Sequence, residues 1–358
     1  MNPTNLSQIT GVRPGPAHRA GDTQVKHEIL KENRTLKIVV LDGYTLNPGD
    51  NPWDEISGMG DLKVYERSHR DQIPARAQSA QIVLTNKAPI SGDNIRDLPD
   101  LRFISVLATG YDIVDIKEAG KRGIPVSNVP EYGTDSVAQF VMALLLELCH
   151  NAGSHSMSVR AGKWCLSHDW CFWNSPQMLL KNKRMGIVGF GRIGRRLGEL
   201  AHAFGMGVYA CDPVHEHTPD YSGFQWKSLE ELFSRSDVVS LHCPQTPENT
   251  GFVNSRLLDK MKPGAFFINA ARGGLVREND LAYALDNGII GGAALDVVSS
   301  EPPEVNNPLL AARNCIITPH MAWASLDARI KLMKMTVKNI KAFLENRPEN
   351  VVNSRYLS

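Results

Sequence analysis

The chain has 358 residues, with 39 Lys and Arg against 38 Asp and Glu, a net charge of +1, 42% hydrophobic and 22% charged residues. That length exceeds one ordinary core and predicts two domains, and the balanced charge gives no bias towards nucleic acid or a membrane surface. The longest apolar stretch, Val137–Leu148, is broken by Gln139 and Glu147 and is too short to span a bilayer.

Residues 1–35 are polar, carry Pro14 and Pro16, lack the apolar run of a signal peptide, and are expected to be a disordered extension or a leader. Short strand candidates follow at Leu36–Leu41, Leu62–Tyr65, Ile82–Thr85, Phe103–Val106 and Pro125–Ser127, separated by helical or loop segments. Such alternation predicts a parallel sheet covered by helices, a small α/β domain. Tyr132–Ser136 then leads into an apolar helix, Val137–Cys149. Ser136 and Gln139 have the spacing of a capping box, and a helix apolar nearly all round is expected to be buried between the two domains. Residues 150–182 differ in texture, with Trp164, Trp170, Phe172 and Trp173 among polar residues. Such a segment either packs on its own domain or meets another subunit.

The stretch from Arg184 to Pro213 organises the second half. An apolar strand, Met185–Val188, runs into Gly189, Gly191 and Gly194 at GxGxxG spacing. A helical pattern, a second strand (Val208–Cys211) and Asp212 follow. Strand, turn, helix, strand and acid in this order form the dinucleotide fingerprint. Gly189 permits the tight turn, Gly191 lets backbone approach a pyrophosphate, and Gly194 lets helix and strand pack closely. The helix N-terminus offers free N–H groups and a positive dipole end to phosphates. Asp212 can accept ribose hydroxyls and would repel a 2′-phosphate, and no Arg or Lys directly follows it, so NAD is favoured over NADP. His215 and His217 read as a solvated loop rather than metal ligands, and no metal is expected.

Alternation resumes with strands at Val238–Leu241, Ala265–Ile268, Gly292–Asp296 and Cys315–Thr318, a doubly wound sheet of about six strands. Ser325–Asn346 reads as one long helix returning to the first domain, which makes that domain discontinuous. Ligands of doubly wound sheets bind at the carboxyl ends of the strands. Three reactive residues follow neighbouring strands there: Arg272, Glu301 and His320. An Arg can hold a carboxylate and polarise a ketone, a His can give a proton to the ketone oxygen, and a Glu can hold the ring and favour its charged form. Each has an ordinary reading alone, as an ion-pairing Arg, a Glu in a solvated turn and a bland His. Behind a dinucleotide fingerprint they suit hydride transfer to a keto acid.

The chain resembles the D-isomer-specific 2-hydroxyacid dehydrogenases over residues 36–350. The resemblance rests on Ala108–Asp112, Gly189–Gly194, Asn269–Gly273, Ala293–Val297 and Pro319–His320. The segments Leu41–Gly49, Asn128–Tyr132, Asp169–Trp173 and His320–Ala324 resemble the glycerate dehydrogenase/hydroxypyruvate reductase branch. The resemblance implies two Rossmann-like domains in an α/β fold. One is a doubly wound NAD-binding domain at 133–320. The other is a smaller, discontinuous, flavodoxin-like substrate domain at 36–132 and 321–358. It implies catalytic roles for Arg272, Glu301 and His320. It implies cofactor contacts from Arg192, Ile193, Asp212, Cys243, Pro244, Thr250, Ala270, Ala271 and Asp296, the last towards the nicotinamide amide. Lys87, Thr109 and Gly110, with Arg272, are implied on the substrate side of a cleft. It also implies a homodimer, which assigns the aromatic segment to a subunit interface. The expected activity is hydride transfer between NADH and a small 2-keto acid such as hydroxypyruvate or glyoxylate, in the cytoplasm, where scattered free cysteines fit a reducing compartment. The alternatives are a dehydrogenase of another 2-hydroxy acid and a non-catalytic NAD(H) sensor resembling the family's transcriptional corepressors.

Overall fold

The computed structural model describes residues 35–216 and 218–357, so His217 and residues 1–34 of the expected extension lie outside the described residues. The chain divides into two compact units, Met1–Pro130 with Lys331–Ser358, and Glu131–Ile330.

The first unit is built on five parallel strands, β1 (Lys37–Val40), β2 (Asp61–Val64), β3 (Ile82–Thr85), β4 (Phe103–Val106) and β5 (Val126–Ser127). Their order, β2-β1-β3-β4-β5, is the flavodoxin-like winding. Strands β3 and β4 are buried on both faces, which is why they read as continuous apolar runs. Edge strand β2 is largely exposed, and Asp61 and Lys63 blunt its free edge. The C-terminal residues fold back here: Val126 N–H donates to Asn353 Oδ1 (2.9 Å), and Phe343 stacks on Phe103 at 4.5 Å.

The second unit holds seven parallel strands: β6 (Arg184–Val188), β7 (Gly207–Cys211), β8 (Phe224–Trp226), β9 (Val238–Leu241), β10 (Phe266–Asn269), β11 (Gly292–Leu295) and β12 (Cys315–Ile317). Their order is β12-β11-β10-β9-β6-β7-β8, so the winding reverses between β6 and β9. The strand beyond the expected six is β8, a half-exposed edge whose Phe-Gln-Trp lacks a continuous apolar run. One face of the sheet is covered by helices Thr134–His150 and Arg192–Ala203. Val137, Val141, Leu145, Leu197 and Ala201 pack there on Met185, Ile187 and Val208. The opposite face is covered through Leu232, Phe233, Leu257, Leu281 and Leu285.

The capping box expected at Ser136 and Gln139 does not form. The helix starts three residues earlier, at Thr134, behind Gly133, which places Ser136 inside the first turn. Its hydroxyl donates instead to the Ala322 carbonyl at 2.7 Å. The last long helix runs Leu326–Leu344. Asn346, in the left-handed region at φ +57, and Pro348 then turn the chain away.

Candidate active site

The winding reversal puts the carboxyl ends of β6 and β9 beside each other, where doubly wound sheets bind ligands. Gly189 leaves β6 at φ +91, and a Cβ there would meet the Cys243 backbone nitrogen at 2.5 Å. A Cβ on Gly194 would stand 2.2 Å from the Gly189 carbonyl oxygen. Gly191 differs from both, because nothing lies within 4 Å of the position its Cβ would take. It is the N-cap of helix Arg192–Ala203 and supplies no side-chain cap, so the first-turn N–H groups of Arg192, Ile193 and Gly194 face outward without a side-chain acceptor. An open space lined by uncapped donors at a positive dipole end fits a pyrophosphate.

Asp212 follows β7. Its carboxylate accepts the Phe190 N–H (2.7 Å) and the Val214 N–H (2.9 Å), which ties the acid to the glycine turn. Arg192 pairs with Glu131 at 2.6 Å. Cys243 and Pro244 follow β9, and burial pushes the Cys243 thiol upward. Thr250 donates its hydroxyl to the Thr246 carbonyl at 2.9 Å. His215 is exposed in the loop after β7, as expected, and stacks on Trp226 with ring centroids 4.3 Å apart. Among the described residues no group of three or more His, Cys, Asp or Glu is placed to hold a metal ion.

Strands β10, β11 and β12 lie side by side, so the residues after them are neighbours in space. After β10, Asn269 shapes the turn that carries Ala270, Ala271 and Arg272. Its Oδ1 accepts the Ala271 N–H (3.0 Å), and its Nδ2 donates to the Arg272 carbonyl (2.9 Å). Gly273 is obligatory, since a Cβ would stand 1.9 Å from the Val298 backbone. After β12, His320 takes φ +52, and its Nδ1 lies 2.6 Å from Glu301 Oε2. Glu301 thereby fixes the ring through Nδ1 and leaves Nε2 to other partners. The histidine loop is gripped from below by Asp296, only 1% exposed. Its carboxylate accepts the Thr318 hydroxyl (2.7 Å), the Met321 N–H (2.9 Å) and the Ala322 N–H (2.8 Å). Burial pushes this carboxyl upward, and those donors oppose the shift.

The other expected site residues belong to the first unit, after strands β3 and β4. Asp42 accepts the N–H groups of Asn86, Lys87 and Ala88 and so shapes the turn that presents Lys87. Thr109 donates to the Val129 carbonyl (3.0 Å), and Asn128 Nδ2 donates to the Thr109 carbonyl (2.7 Å), which fixes the backbone leading to Gly110. Sequence reasoning assigned no role to Asp42 or Asn269. The only available signal was a polar residue ending an apolar strand, Asn269 being 1% exposed.

Residues 142–322 match the family described as D-isomer specific 2-hydroxyacid dehydrogenase, NAD binding domain. The chain is 47% identical over 321 residues to a hydroxypyruvate reductase of Blautia hydrogenotrophica, covering 89% of this chain and 100% of the relative. It is 38% identical over 323 residues to a glycerate dehydrogenase of Methylorubrum extorquens, again covering 89% and 100%. Among solved structures it is similar to an NADPH-dependent glyoxylate/hydroxypyruvate reductase of Sinorhizobium meliloti in complex with NADP and malonate. There the TM-score is 0.73 at 28% identity, with 86% of this chain and 93% of that one covered.

Proposed function

The chain belongs to the D-isomer-specific 2-hydroxyacid dehydrogenases, on the glycerate dehydrogenase branch, and we propose that it reduces hydroxypyruvate or glyoxylate with NADH in the cytoplasm. It is an oxidoreductase of D-2-hydroxy acids that uses a nicotinamide cofactor. The observation that carries the catalytic assignment is the 2.6 Å contact between His320 Nδ1 and Glu301 Oε2. Arg272 holds the substrate carboxylate through its forked donors and polarises the ketone. Protonated His320 gives its Nε2 proton to the ketone oxygen during reduction and takes it back in the reverse direction. Glu301 steadies the ring and its charge. When bound, the nicotinamide supplies the hydride to the carbonyl carbon.

Gly189, Gly191, Arg192, Ile193 and Gly194 would cradle the pyrophosphate, and Asp212 would take the ribose hydroxyls. Cys243, Pro244, Thr250, Ala270, Ala271 and Asp296 would line the remainder of the cofactor. Lys87, Thr109 and Gly110 are assigned to substrate contacts from the resemblance. The preference for NADH rests on the Asp212 carboxylate, which disfavours a 2′-phosphate. The test is steady-state oxidation of NADH and NADPH in parallel with a panel of 2-keto acids. Turnover of a short hydroxylated acid with NADH supports this reading, and no turnover on any acid supports the sensor instead. Arg272→Ala should lower kcat/KM by about two decades or more, the scale of losing a charged binding partner. An unchanged value would remove Arg272 from the site.

A further inference from the structure

The segment Asn128–Tyr132 sets the branch apart in sequence, yet its first residue has no part in the assignments above. Asn128, nearly buried, joins two stretches of the first unit. On one side its Nδ2 donates to the Thr109 carbonyl at 2.7 Å, and the neighbouring Val129 N–H donates to the Ala108 carbonyl at 3.0 Å. Two consecutive peptide groups, 108–109 and 109–110, therefore turn their oxygens towards 128–129. A trans peptide is planar, and its N–H is directed opposite to its C=O. The N–H groups of Thr109 and Gly110 are consequently aimed away from that segment. Neither has an acceptor among the described residues. Successive N–H groups turned one way suit an anion.

On its other side Asn128 is anchored to the end of the chain. Its backbone carbonyl accepts from Asn339 Nδ2 (2.9 Å), and its N–H donates to the Asn350 carbonyl (3.2 Å). Asn350 Nδ2 in turn donates to Asn339 Oδ1 (2.8 Å). Asn339 is fully buried in helix Leu326–Leu344, where an apolar side chain of that size would fill the space without needing partners. A satisfied network of buried amides instead fixes one arrangement of the segments that it joins.

We propose that Asn128 is a positioning residue: backed by Asn339, it locks the Thr109–Gly110 peptide so that the Gly110 N–H stays aimed at the bound keto acid. Asn128 itself does not touch the substrate. The inference rests on the dehydrogenase reading, which assigned Thr109 and Gly110 to the substrate side.

The test is Asn128→Ala, which removes the bond to the Thr109 carbonyl and keeps the backbone bonds of residue 128. The KM for hydroxypyruvate should rise about tenfold, the scale of one misdirected hydrogen bond to a charged group, with kcat and the KM for NADH little changed. Calorimetric binding of oxamate, a non-reducible isostere of a 2-keto acid, to the NADH-loaded protein should weaken by a similar factor. Asn353→Ala serves as the control. Asn353 is as deeply buried in the same unit, bonds the Val126 N–H and the Ile124 carbonyl at 2.9 Å each, and reaches none of residues 108–110. Its loss should lower the melting temperature and leave oxamate binding as in the wild type. Unchanged oxamate affinity in Asn128→Ala overturns the proposal. An equal loss of affinity in Asn353→Ala also overturns it and assigns Asn128 to stability alone. In the wild type, exchange of the Gly110 amide hydrogen, followed by NMR, should slow when oxamate is added. Equal exchange with and without oxamate overturns the proposal even where Asn128→Ala fails to fold. Because oxamate binding needs no turnover, a wild-type protein inactive on every keto acid would count against the dehydrogenase reading separately.

Discussion

His320 holds a left-handed backbone conformation that costs a non-glycine residue on the order of 1–3 kcal/mol, so the surrounding structure must impose it. The Asp296 carboxylate does so with its three hydrogen bonds, and the Asp296 carbonyl adds another by accepting the His320 N–H at 2.8 Å. A second histidine behaves differently. His242, bonded to the Ser240 hydroxyl at 2.8 Å, is pushed down to about 4 by burial. The sign follows from linkage: the unfolded chain takes up this proton first, near pH 6.5, so stability is complete above that value. It is lost as pH falls from 6.5 towards 4, by at most about 3 kcal/mol, less where solvent reaches the residue. Urea unfolding of the cofactor-free protein across that window should show the loss, and His242→Asn should flatten it. Equal slopes in the two proteins would show that His242 is not the source. Arg272, Glu301 and His320 could be picked out in sequence because reactive side chains directly follow apolar strands. Asp42 and Asn269 could not, since the Asp42 carboxylate and the Asn269 side-chain amide serve backbone turns that exist only once the sheets are folded.

At the scale of elements, the turn from β6 into helix Arg192–Ala203 separates two roles that one glycine motif combines. Gly189 and Gly194 are demanded by the protein's own backbone, whereas Gly191 faces open space. Gly191→Val should therefore leave the melting temperature close to wild type and weaken NADH binding by about a hundredfold or more. A side chain there fills the pyrophosphate position and blocks close backbone approach. Calorimetry checks this, and unaltered affinity would place the pyrophosphate elsewhere. The parallel strands were legible because residues buried on both faces must be apolar in continuous runs. Helix Thr134–His150 was legible from its apolar spacing, but its start was not. Ser136 had an acceptor in the Ala322 carbonyl, and no local spacing encodes a partner 186 residues away. Strand β8 escaped notice because Phe224, Gln225 and Trp226 form a half-exposed edge with no continuous apolar run.

At the scale of the molecule, the most conspicuous surface lies in residues 150–182 of the second unit. Met157, Trp164, Leu166, Trp170, Trp173 and Leu179 are between 51% and 86% exposed there. Exposed apolar groups gathered in one segment mark an interaction surface, and a second copy of this chain is the partner proposed for it. Trp170→Glu should convert a dimer into a monomer in light scattering while leaving the melting of the isolated subunit intact. A wild-type protein that is monomeric at micromolar concentration would refute the assignment. Among the described residues no helix is long and apolar enough to cross a membrane, so this surface is not part of a spanning helix. Sequence alternation sufficed to expect a parallel sheet in each unit, whereas the strand orders are read from the folded units. The use of the aromatic segment did not follow from alternation, because a surface that awaits a partner has no core to impose periodicity. The central claim is hydride transfer to the keto carbon of a short 2-keto acid. It is tested most directly by incubating the protein with NADH carrying deuterium at both C4 positions, first with hydroxypyruvate and then with glyoxylate, and reading the products by NMR. Deuterium at C2 of D-glycerate or glycolate is the predicted result; products lacking the label, or no product from either acid, would contradict the account.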